Sequence, residues 1–240
     1  MTLFALWLGM LGLADLVRWR SDAPWWRQAL GGLAALAAAV VLCGLGGLSL
    51  GEAVGWSLAL TVLTGVWLAA SWAALHRGHG AWAPIGALVA GALLLVGASG
   101  RTPPLEDRLL GWYADLAVPA AAGLSFDRFA VVAGGLLFLQ LTANVVVRLV
   151  LDSAGTPAEQ SESTLKGGRV LGPMERTFIF ALSVAGELTA ASVVVAAKGL
   201  LRFPELQRGA NAGRVDALTE YFLVGSLTSW LLAVLLLPLT

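Results

Sequence analysis

Residues 28–51 read QALGGLAALAAAVVLCGLGGLSLG, without a single charge. At 1.5 Å per residue such a run makes about 36 Å of helix, more than the roughly 30 Å of hydrocarbon in a bilayer. Its neighbours repeat the pattern: windows 53–75, 78–100, 129–147 and 221–240 hold no Asp, Glu, Lys or Arg, and 177–197 holds only Glu187. These windows predict six membrane spans. The opening segment, Met1 to about Val17, is shorter and contains Asp15, and is read as a seventh, strained span. The fold class expected is therefore all-α, a polytopic membrane helical bundle with six or seven transmembrane helices and one interfacial amphipathic helix.

Composition agrees. Of 240 residues 58% are hydrophobic and 12% charged, about half the charged fraction of a soluble domain. Fifteen basic residues balance fifteen acidic ones, so no positive field exists to attract nucleic acid. Ten Trp suit membrane interfaces and 29 Gly suit close helix packing. Pairs such as Gly47/Gly51 and Ala87/Gly91 are read as helix contacts. Cys43, the single cysteine, cannot form an intrachain disulfide. No basic residue precedes the first apolar stretch and no cleavage site follows it, which argues against a cleaved signal.

Three regions are expected. Residues 1–151 form an N-terminal transmembrane bundle, 152–168 a polar linker rich in Ser, Thr, Glu and Gly, and 169–240 a C-terminal transmembrane helical hairpin. Within the first region, about 103–118 should be a surface helix: Thr102 caps it, prolines open it, and Leu105, Leu109, Trp112 and Leu116 share one face. The localisation expected is a bacterial cytoplasmic membrane. Orientation is undecided, because the basic residues of a seven-span arrangement divide eight to seven between the two sides.

The sixth segment carries the most polar information. No proline interrupts 174–203, so 173–203 is expected as one continuous, tilted helix closed by Phe203-Pro204, with 218–237 returning antiparallel. Arg176, Glu187 and Lys198 recur every eleven residues, close to three turns, and so lie on one stripe with Ser183 and Arg202. Glu187 then stands near the bilayer centre, about 16 Å from either cation. It must be protonated, hydrated or paired with another helix, which makes it the candidate for a proton, cation or amine step. The bland reading is a structural hydrogen-bond donor. On the fifth span Gln140, Asn144 and Arg148 share a face, and an antiparallel pairing sets Arg148 beside Glu175 and Gln140 beside Ser183. Glu175, Arg176, Lys198, Arg202 and Glu220 are read as candidates for structural ion pairs, Glu220 meeting Lys198 or Arg202.

Catalytic signatures are missing: no H-E-x-x-H, G-x-S-x-G or Walker loop occurs. His76 and His79 bracket a short turn with no sequence neighbour to complete a metal site. No cofactor is expected, and an enzyme is disfavoured. The leading function is a structural or accessory subunit of a membrane complex, partnered by the lipid bilayer and by another membrane protein or a second copy. The alternatives are a small transporter or channel using Glu187, and a protein or enzyme that binds anionic lipid headgroups through Arg176, Lys198 and Arg202.

The last seventy residues, less than a third of the chain, also carry an ordered pattern. It runs from Gly167-Gly168-Arg169 through Gly172-Pro173-Met174-Glu175-Arg176, then Ala197-Lys198-Gly199-Leu200-Leu201-Arg202-Phe203, then Glu220-Tyr221 and Gly225 to Ser229. This resembles a bacterial integral membrane family catalogued as a domain of unknown function. The resemblance implies no activity. Gly199 departs from the serine usual after the lysine, and the first span, whose one acid is Asp15, lacks the His associated with the family's start.

Overall fold

The computed structural model describes the backbone of residues 1–18, 23–101, 107–116, 123–155, 168–211 and 215–239. Among these, ten α-helices and no strands occur: α1 Thr2–Arg18, α2 Trp25–Leu45, α3 Leu50–Arg77, α4 Trp82–Ala98, α5 Asp107–Asp115, α6 Phe126–Gln140, α7 Thr142–Ser153, α8 Gly168–Val184, α9 Leu188–Asn211 and α10 Val215–Leu235. Three segments, Trp25–Leu45, Leu50–Arg77 and Phe222–Leu239, are long and apolar enough to cross a membrane, and a fourth is added if the bent pair α6–α7 counts as one.

Helix starts and stops follow local chemistry. Ser49 caps α3 in a capping box with Glu52, and Gly78, in the left-handed conformation, ends the same helix. Ser125 accepts from the backbone N–H of Arg128 at the start of α6.

The short first helix is central. Packed against α2, α3, α4, α6 and α7, α1 buries Leu3, Phe4, Trp7, Leu8, Met10 and Leu11. Its crossing with α6 depends on missing side chains. A Cβ on Gly134 would collide with the Ala5 carbonyl oxygen, and one on Gly12 would lie 2.7 Å from the Leu137 carbonyl. Of the glycine pairs expected as contacts, Gly91 does receive the Trp7 ring, whereas Gly51 faces open space and Gly47 sits in a turn at φ 70°.

Among the described residues an apolar core also encloses polar groups, and large apolar side chains face outward. Asp15, Arg18, Ser57, Thr64, Ser71, Thr142, Arg176, Ser226 and Ser229 are buried, while Leu33, Val40, Val54, Leu58, Val62, Val66, Leu93 and Leu231 are exposed.

Four expectations need correction. The segment 173–203 is not one helix, because α8 stops at Val184 and α9 begins at Leu188. Gly186 takes φ +85°, and its N–H bonds the Ser183 carbonyl while the Glu187 N–H bonds that of Leu182. This is a Schellman closure, which glycine favours and other residues resist. At the other end, α9 runs through Pro204 to Asn211 instead of closing there. The C-terminal region thus holds three helices, not a two-helix hairpin. The window 129–147 is broken as well: α6 and α7 meet at 48° across Leu141. The surface helix spans Asp107–Asp115, with the expected Thr102 cap outside the described residues. So is most of the linker, residues 156–167.

Candidate functional site

The break between α6 and α7 organises the polar interior. Leu141 adopts φ −121°, ψ −65°, which interrupts the helical ladder and leaves carbonyls of the last α6 turn in need of donors. Arg176 of α8 supplies one. Its Nε donates to the Leu139 carbonyl at 2.9 Å, Nη1 to Ser229 Oγ of α10 at 2.9 Å, and Nη2 to the Asn144 side-chain oxygen. Asn144 Nδ2 in turn donates to the Gln140 carbonyl at 2.9 Å. Arg176 is 1% exposed. A planar guanidinium with several divergent donors can serve three acceptors at once, which an ammonium on a flexible stem does poorly.

On the other side of the break stands an ion pair. Asp15 and Arg18, three residues apart on α1, meet at 2.6 Å (Oδ1 to Nη2) with side chains essentially excluded from solvent. Trp67 Nε1 of α3 donates to Asp15 Oδ2 at 3.3 Å. Arg18 Nη1 donates to Gln28 Oε1 of α2 and to Ser71 Oγ of α3, each at 3.1 Å. The hydroxyl of Thr142, first residue of α7, lies close to the Asp15 carboxylate but outside hydrogen-bond geometry.

These placements match the helix ends. A cation meets the C-terminal turn of α6, and an anion lies at the N-terminus of α7. Arg176 thus faces the negative pole of α6, while Asp15, paired with Arg18, lies beside the first residue of α7 without capping it. The chemistry available is that of a broken helix whose α6 end is satisfied by side chains, Arg176 on the Leu139 carbonyl and Asn144 on that of Gln140.

Of the residues expected to matter, Gln140, Asn144 and Arg176 come together here. Gln140 meets Thr177, however, and not Ser183, because the bend at Leu141 changes the register. Ser183 is half-buried and serves through its carbonyl in the Gly186 closure. Glu187 is exposed at the α8–α9 turn. The stripe joining it to Arg176 and Lys198 does not exist, since no continuous helix carries it. Arg148 on α7 and Glu175 on α8 are half-buried. The side chains of Lys198, Arg202 and Glu220 lie outside the described residues, and with them the expected pairing. Arg176, committed to three internal acceptors, is not open to a lipid headgroup.

Sequence reasoning missed the Asp15–Arg18 pair. Ending the opening segment at about Val17 leaves Arg18 outside it and Asp15 alone on a short span. The signal was an acid and a base three residues apart, which meet on one helix face.

His76 is exposed, with Nδ1 3.0 Å from the Trp72 carbonyl oxygen and its ring against Trp72. Among the described residues no three His, Cys, Asp or Glu side chains gather to hold a metal. Comparison with family models, curated proteins and solved structures finds no match.

Proposed function

We propose that this chain is a multi-pass protein of a bacterial cytoplasmic membrane, acting as a structural or accessory subunit. The observation that carries the reading is that three charged side chains, Asp15, Arg18 and Arg176, are buried and partnered within the chain, while the outer faces of α2 and α3 carry many leucines and valines. Six or seven spans follow if the 17-residue helices α1, α4 and α8 join the longer ones, at about 26 Å each. A broken helix is tolerated in a membrane where neighbouring side chains satisfy the freed backbone, as Arg176 and Asn144 do. With the freed α6 carbonyls met by the chain's own side chains, the break favours rigidity over substrate exchange.

The test is extraction from native membranes in a mild detergent, followed by co-purification and light scattering. A stoichiometric protein partner or a homo-oligomer is expected. A monodisperse monomer with nothing attached would overturn the subunit role.

A second reading has its own observation. Half-helix ends facing charges are where broken-helix transporters hold ions. In that case proton or cation flux in liposomes requires Asp15. Flux should vanish in Asp15→Asn and survive in Glu187→Gln. Flux equal to that of empty vesicles in the wild type removes the transport reading.

A further inference from the structure

We propose that a groove between α1, α2 and α6, roofed at one end by α5, holds one acyl chain of a membrane phospholipid. The groove has a volume of about 310 Å³. Its walls include Met10 and Leu13 of α1, Ala38 and Leu42 of α2, and Ala130 and Ala133 of α6, with Trp112 of α5 across one end.

The occupant follows by exclusion. Water needs two to four polar partners. The single hydroxyl in the lining, that of Thr2, already donates to Asp127. A partner's helix is too thick: at a diameter of about 10 Å it would fill this volume in about 4 Å of length, less than one turn. An unfilled apolar cavity forfeits dispersion contacts. The mouth decides the remainder. Leu137 lines the groove and is 45% exposed, and Val41, next in sequence to the lining residue Leu42, is exposed as well. Under the multi-pass reading, on which this inference rests, the medium touching those side chains is hydrocarbon. A flexible chain of methylenes is thin enough to enter and apolar enough to stay.

The roof gives direction. Helix α5 turns Leu109 and Trp112 onto the groove while Asp115 is exposed, the arrangement of a helix at headgroup level. The chain therefore enters beside α5, with the ester end near Trp112 and the methyl end towards Leu13.

Small residues line part of the pocket, Ala38, Ala130 and Ala133 among them, so it can be filled by substitution. Purified protein in phosphatidylcholine vesicles carrying a phospholipid with a diazirine near the end of one acyl chain is photolysed, and adducts are mapped by mass spectrometry. Adducts concentrated on Leu13, Ala38 and Ala133 are expected. In Ala133→Phe their yield should fall at least tenfold, while Val62→Phe on the outer face of α3 leaves it unchanged. Adducts spread over exposed positions such as Val54 and Leu58, with none in the groove, would mean surrounding lipid only and overturn the proposal. So would an unchanged yield in an Ala133→Phe protein that keeps the wild-type melting temperature. If that variant fails to fold, the wild-type adduct map decides alone. Retention in the membrane pellet after a carbonate wash checks the multi-pass reading separately: a washed-out protein defeats that reading, whereas a retained protein without groove adducts defeats only the acyl-chain site.

Discussion

At the residue scale the molecule turns on two buried arginines answered differently. Arg18 has a carboxylate, Asp15, at 2.6 Å. Arg176 has two side-chain oxygens and a backbone carbonyl. Removing one member of a buried pair strands the other, typically at about 3–5 kcal/mol, whereas replacing both by apolar groups of similar volume is often neutral or better. Asp15→Leu should therefore lower the detergent melting temperature sharply, and Asp15→Leu with Arg18→Met should recover most of the loss. Additive losses would mean that the two residues act independently. For Arg176 the acceptors are neutral, so the guanidinium's shape matters as much as its charge. Arg176→Lys should lose much of the stability that Arg176→Met loses. Ser229→Ala should cost about 1 kcal/mol, the usual net worth of one hydrogen bond. Arg176 was legible as a polar position in the sequence, but its acceptors were not. Two of them, the Leu139 carbonyl and Ser229, are a backbone atom and an ordinary serine, and neither has a sequence signature.

At the element scale two breaks separate the expected helices from the observed ones, and they differ in kind. The α8–α9 break is local. Gly186 at φ +85° closes α8 by bonds within six residues, so its cause was present in the sequence as a glycine at a helix end. A span tolerates internal glycine, and that allowance hid it. Gly186→Ala should destabilise the protein by about 1 kcal/mol through the left-handed backbone, read as a modest fall in melting temperature. The α6–α7 break has no glycine or proline at Leu141. It is held from outside by Arg176 of α8, aided within the segment by Asn144 on the Gln140 carbonyl, and no glycine or proline in 129–147 marks Leu141 as its place. The α1–α6 crossing sets a harder limit: Gly134→Val would push a side chain into the Ala5 carbonyl and should abolish the folded, monodisperse species in size-exclusion chromatography.

At the scale of the whole molecule, Glu187 measures how far a span can be read in isolation. Taken as the middle of a long helix, it lay at the bilayer centre. At the end of α8 it is exposed, where a carboxylate is stable if it meets water. In a Cys43→Ser background, Glu187→Cys should react with a membrane-impermeant maleimide added to one side of sealed vesicles, while a cysteine at Asp15 should not. Protection of the Glu187 position from both sides would return it to the membrane interior. What the sequence by itself determined is the class of molecule: charge-free windows and sparse charge dictate helices that pack polar groups inward. Hydrophobicity is summed along a segment and needs no partner to be read. Tertiary structure alone decided that the opening segment, which reads as a short and strained span, is the centre of the bundle. It also decided that Arg176 meets a carbonyl freed where α6 breaks. Those facts depend on glycine faces meeting across 120 residues of chain and on backbone groups freed by a bend, and both arise only when the helices pack.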